Sequence, residues 1–246
     1  MSAQLAPPTG IVRTHPRSRS PWPRAIALVF GAMVLSLVGR IIFSTWEPPF
    51  QGGILFDDIA PLGASYWAMN VFLCGPTFLL TFVTGAISLV SLGRGSATSL
   101  AGGTLVFVGG SIFTPAIVAE VMPFALAADP AVMPEAQGRS LFDLLNGHLD
   151  VVLLPIVVGS ILVALGVLIA VVGLLVTRAI PLWLSIGVLA YIVLFQALPL
   201  GELHPALFVA SNVLELGLWF LIALFALLKI RRGTHAAVGA AESADA

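Results

Sequence analysis

Between Val151 and Val176 twenty-six residues pass without a charge. A helix rises about 1.5 Å per residue, and about 20 apolar residues already cross a hydrocarbon core about 30 Å thick. The stretch predicts a membrane span, and five more of the same character predict spans at about 25–46, 64–92, 100–122, 180–200 and 205–228. The expected fold is all-α: a polytopic membrane protein built as a bundle of six transmembrane helices. The first apolar run is too long for a signal-peptide core and closes without a small-x-small cleavage site. It therefore reads as an uncleaved span with Trp22 and Trp46 as interfacial anchors.

Glycines mark the packing faces. Gly159, Gly166 and Gly173 recur every seventh residue along one seam of the fourth span, and the third span carries Gly102 with Gly109 and Gly103 with Gly110 at the same spacing. A missing side chain lets another backbone approach, so these two helices are expected to pack closely. Between spans, 47–63 reads as an acidic re-entry loop, and Gly93–Ser96 as a tight turn. Pro123–Leu149 is the longest loop, where Pro123, Pro130 and Pro134 exclude one continuous helix and 140–145 predicts a short interfacial one. Lys229, Arg231 and Arg232 are expected to end the sixth span.

Composition agrees with the pattern: 59% of the residues are hydrophobic and 9% charged, with a mean hydropathy of +1.05, whereas a soluble chain is about a quarter charged. The net charge of -1 says little, because sidedness matters more than the total. Six spans put the four N-terminal arginines (Arg13, Arg17, Arg19, Arg24), Arg94, Arg178, Lys229, Arg231 and Arg232 on one face. Only Arg139 is on the other, beside Glu47, Asp57, Asp58, Asp129, Glu135, Asp143 and Glu202. The positive-inside bias then predicts N-in/C-in topology, with 1–23 a disordered basic cytoplasmic tail and 229–246 a second cytoplasmic tail. Ten arginines against one lysine and an alanine-rich tail suggest a GC-rich bacterial coding sequence, hence a bacterial plasma membrane. The single cysteine, Cys74, allows no intrachain disulfide, and its apolar setting suits an inert thiol.

Ionisable residues inside spans are costly and need partners. Arg40 lies about 24 Å above the cytoplasmic start of the first span and Glu215 about 15 Å below the outer start of the sixth, so their backbones differ by about 9 Å in depth. Helical side chains lean toward the N-terminus, which turns these two toward each other, and they are expected to pair. Asn212 is one turn from Glu215 on the same face and in reach of its carboxyl. Asn70 and Gln196 suit interhelical hydrogen bonds. Pro115 and Pro155 lie inside spans, where they could support broken helices.

A weaker constellation lies at the outer boundary. Glu120, His148, Asp150, Glu202 and His204 mix imidazole and carboxylate donors, which suits zinc, and His148 with His204 could hold a haem. Acidic residues also belong at helix N-termini for electrostatic reasons, so this spacing has no diagnostic value alone. There is no Gly-x-Ser-x-Gly, no phosphate loop, no His-Glu-x-x-His and no paired Cys-x-x-Cys. No cofactor and no nucleic acid are expected. The lipid bilayer is the expected partner, and other membrane subunits are candidates. The leading reading is a non-catalytic structural or accessory membrane subunit. The second is a small-solute or ion transporter with Glu215 as protonatable group and Arg40 as counter-charge. The third is an outward-facing metal-dependent membrane enzyme.

Overall fold

The computed structural model describes residues 22–48, 53–197 and 205–244, and every regular element among them is helical. In chain order these are α1 (Trp22–Trp46), α2 (Phe56–Ile59), a 3-10 turn Ala60–Leu62, α3 (Ala64–Met69), a π-turn Asn70–Cys74, α4 (Gly75–Leu92), α5 (Ala97–Ala128), α6 (Glu135–Asn146), α7 (Leu149–Val152), α8 (Leu154–Val176), α9 (Leu182–Tyr191), a π-turn Ile192–Ala197 and α10 (Pro205–Ala244).

Among the described residues five helices are long and apolar enough to cross a membrane: Trp22–Trp46, Ala64–Leu92, Ala97–Ala128, Leu154–Val176 and Val209–Gly233. The expected fifth span, 180–200, is instead the shorter apolar helix Leu182–Phe195. It widens into a π-turn from Ile192, and 198–204 lie outside the described residues.

Other boundaries also move. α5 continues through Pro115 and Pro123 to Ala128, past the expected end at Met122. Proline removes one donor without ending the helix, because neighbouring helices can re-satisfy the freed backbone groups in a membrane protein. The short helix expected over 140–145 is α6, twice as long. Lys229, Arg231 and Arg232 end the apolar stretch but not the helix, which runs on to Ala244 through an alanine-rich segment of high helix propensity.

The closest packing joins α5 and α8. A Cβ at Gly102 would stand 2.5 Å from the Gly166 carbonyl oxygen, one at Gly109 would stand 2.7 Å from that of Gly159, and Gly173 faces Thr98. The helices run antiparallel with backbones in contact. Gly103 and Gly110 do not join this seam; they receive Val90 and Phe82 of α4 on the other side. α5 is thus pressed between α4 and α8, which explains why it carries two glycine pairs offset by one residue. α1 is held to α4 by a buried hydroxyl pair, Thr81 Oγ1 donating to Ser36 Oγ at 3.0 Å.

α10 runs antiparallel to α1, since Phe30 meets Phe220 at 5.6 Å between ring centroids while Arg40 meets Glu215. One end of the bundle therefore gathers Trp22, Arg94 and Lys229, whose Nζ donates to the Leu92 carbonyl at 2.6 Å and satisfies the C-terminus of α4. The opposite end is acidic and capped by α2 and α6 around Phe56, Phe124 and Phe142. There Arg139 bridges Asp57 at 2.6 Å and Glu135 at 2.9 Å, and its guanidinium holds the Asp57 carboxyl below the usual carboxylate range.

Filling the seam should loosen the whole bundle. Gly102→Leu is expected to lower the thermal midpoint of detergent-purified protein by the equivalent of about 1–3 kcal/mol or more. Gly31→Ala has nothing within 4 Å of the new methyl. It should leave the midpoint unchanged or raise it by up to about 1 kcal/mol through the better helix former.

Candidate functional site

The described residues line a partly open cavity of about 270 Å³ between α1, α4, α5, α8, α9 and α10, and the intramembrane ion pair forms part of its wall. Arg40 Nη1 donates to Glu215 Oε1 at 2.8 Å. The arginine is almost sealed, with 8% of its side chain exposed, whereas Glu215 keeps 21%, and both line the cavity. Two long side chains on antiparallel helices make this possible: they lean toward each other and close the difference in depth between their backbones.

The pair has further support. The Arg40 guanidinium lies 4.2 Å from the centroid of Phe78, a cation–π contact that partly replaces lost hydration. Close approach of α1 to the second span permits it, since a Cβ at Gly39 would strike Thr77. Tyr191 Oη donates to Glu215 Oε2 at 3.5 Å, a long and weak bond. Asn212 lines the same cavity, but its amide makes no hydrogen bond to the carboxylate.

The rest of the wall is aliphatic on α8 and aromatic on α4 and α5. Phe78 and Phe82 lie one turn apart on α4 and meet Phe113 of α5 at 5.1 and 5.5 Å, and Phe82 meets Trp219 of α10 edge-on at 6.4 Å. Sequence reasoning missed this group. The Phe78 and Phe82 spacing was a usable signal, but only the fold shows that Phe113, Tyr191 and Trp219 face it.

A second polar group lies toward the acidic end. Glu47 and Glu120 are in electrostatic reach of each other and both reach Tyr66; Cys74 feels Glu47, Glu120 and Arg40 alike. Glu120 Oε2 is buried without a hydrogen-bond partner. The π-turn that contains Cys74 begins at Asn70, whose Nδ2 donates to the Tyr66 carbonyl at 3.0 Å, so Asn70 serves its own helix and does not reach a neighbouring one. Gln196 has no described side chain.

Of the expected metal constellation, only Glu120, His148 and Asp150 fall among the described residues. Among the described residues no three His, Cys, Asp or Glu side chains converge on a metal-sized site. Glu120 instead neighbours Glu47 and Tyr66, while His148 and Asp150 are exposed around the short α7. Glu202 and His204 lie outside the described residues.

Arg40→Ala and Glu215→Ala should each strand a charge in an apolar setting and destabilise the purified protein by about 3–5 kcal/mol. Arg40→Leu combined with Glu215→Leu should recover most of that loss in a denaturant or thermal melt. Additive losses in the double variant would show that the two side chains are not energetically coupled.

No family model, no curated protein and no solved structure matches this chain.

Proposed function

We propose that this chain is a membrane carrier for a small, largely apolar solute, with Glu215 as the group that takes up and releases a proton and Arg40 as its counter-charge. One observation carries the reading: the ion pair borders a cavity inside the bundle. A pair that served only to fix helix order would be packed shut, because water or void beside a buried charge adds nothing to structural stability. A concave, mostly apolar space with a few convergent polar groups is the usual form of a small-molecule site. The structural or accessory-subunit reading has no comparable feature in its favour.

The mechanism follows from the two exposures. Glu215 is the one carboxylate on the cavity wall. Its protonation cancels the charge that holds Arg40 and leaves a lone guanidinium in hydrocarbon, which favours a different arrangement of α1 against α10.

We further propose six membrane crossings with both chain ends on the cytoplasmic side of a bacterial-type plasma membrane. α8 and α10 both end where α1 begins, which calls for a return crossing between them, and the basic residues collect at that same end. Epitope tags at either terminus should be accessible only from the cytoplasm; a tag reached from outside would overturn this topology.

The carrier reading is tested in proteoliposomes with uptake of labelled small amphiphiles across an imposed pH gradient. Wild-type uptake should depend on the gradient, and Glu215→Gln, whose amide oxygen can still accept from Arg40, should lose that dependence in the protein that remains folded. Uptake indifferent both to pH and to Glu215→Gln would sink the proposal.

A further inference from the structure

The basic end of the bundle carries a second concavity, separate from the central cavity. It is an open groove of about 450 Å³ on the outside of α4 and α5, where Val83, Ile87 and Val90 face Thr104 and Phe107. Arg94 closes its end together with Trp22, and the guanidinium lies 4.6 Å from the centroid of the indole ring. From the groove's structure we infer that it holds one acyl chain of an anionic phospholipid, whose phosphate group is bound by Arg94.

Three observations support this occupant. The first is length. From Val83 to Arg94 the helix and its turn rise about 16 Å, which matches half of a hydrocarbon core about 30 Å thick. The groove therefore runs from headgroup depth to the bilayer midplane, the extent of a chain in one leaflet.

The second is charge. Arg94 is exposed and makes no ion pair with any described carboxylate. The other charged residues described at this end, Arg24, Arg178, Lys229, Arg231 and Arg232, are all basic. Lys229 is spent on the α4 C-terminus. Stacking on Trp22 fixes the guanidinium plane and leaves its edge donors free for phosphate oxygens.

The third is the local backbone. Gly95 has φ +81, so the α4–α5 turn closes within four residues and presents Arg94 directly above the groove. Gly103 forms part of the groove wall while pressed against Val90, which seals the groove at the back.

The test uses full-length protein in detergent, with dioleoyl-phosphatidylglycerol or dioleoyl-phosphatidylcholine added at equal mole fraction. The anionic lipid should bind roughly five-fold more tightly, as one basic residue near the surface contributes, and should raise the thermal midpoint more. Arg94→Gln should abolish that preference, whereas Arg232→Gln should keep it. Thr104→Trp fills the groove from its exposed side and should abolish stabilisation by either lipid. Native mass spectrometry of the wild type against a phosphatidylcholine background should retain a single phosphatidylglycerol, a readout that survives even if Arg94→Gln fails to fold. Equal effects of the two lipids, a preference that persists in Arg94→Gln, or a shift reproduced by inorganic phosphate alone would each overturn the assignment. A dimer dissociated by Thr104→Trp would do so as well, by making a second copy the occupant.

Discussion

Contact between the backbones of α5 and α8 is the constraint around which the bundle is arranged. Lipid tails are as apolar as leucine, so helices in a membrane gain little by hiding hydrophobic surface and must associate through close packing and polar contacts. Glycine at 102, 109, 159 and 166 brings backbone against backbone, and Gly103 and Gly110 seat α4 against the far face of α5. These three helices form a dense slab. α1 and α10 complete the core through longer side chains, Met33 and Leu37 against Trp219 and Ile222.

That difference in packing creates the cavity. Beside the ion pair Phe78, Phe82, Phe113 and Trp219 meet at tilted or edge-on angles, a geometry that leaves space between the rings. Arg40 and Glu215 line this space, the arginine more sealed than the carboxylate. The bundle is therefore stiff on one side and adaptable on the other. A moving part would be drawn from α9 and α10, since α9 already departs from regular helix at Ile192.

Much of this was legible in the sequence, for physical reasons that also explain the failures. Hydrophobic length marked out five of the six expected spans because the bilayer imposes a length, and the heptad glycines marked the α5–α8 seam because only a fixed period keeps them on one face. The meeting of Arg40 and Glu215 followed from depth and side-chain direction alone. The second glycine pair could not be placed, because an offset of one residue turns the face by about 100° and only the third helix reveals what lies there. Pro123 was read as an end to α5, yet proline ends a helix in water more readily than in a buried bundle. Glu120 was grouped with His148 and Asp150 by sequence proximity to the same boundary, whereas the fold turns it toward Glu47 and Tyr66. The aromatic wall was invisible because phenylalanine is common in every span, and which ring faces inward is a property of tertiary packing.

The π-turn at Asn70–Cys74 changes what sequence length means in the second span. One extra residue is accommodated there by widening a single turn, so α3 and α4 share an axis but not a register. The faces above and below are offset by about 100° relative to an uninterrupted helix. Tyr66 reaches Glu120 and Phe78 reaches Arg40 only because of that offset. For this helix the loss of one residue between 70 and 74 would act less as a shortening than as a rotation, turning the acidic end away from the ion pair while leaving the length of the span almost unchanged.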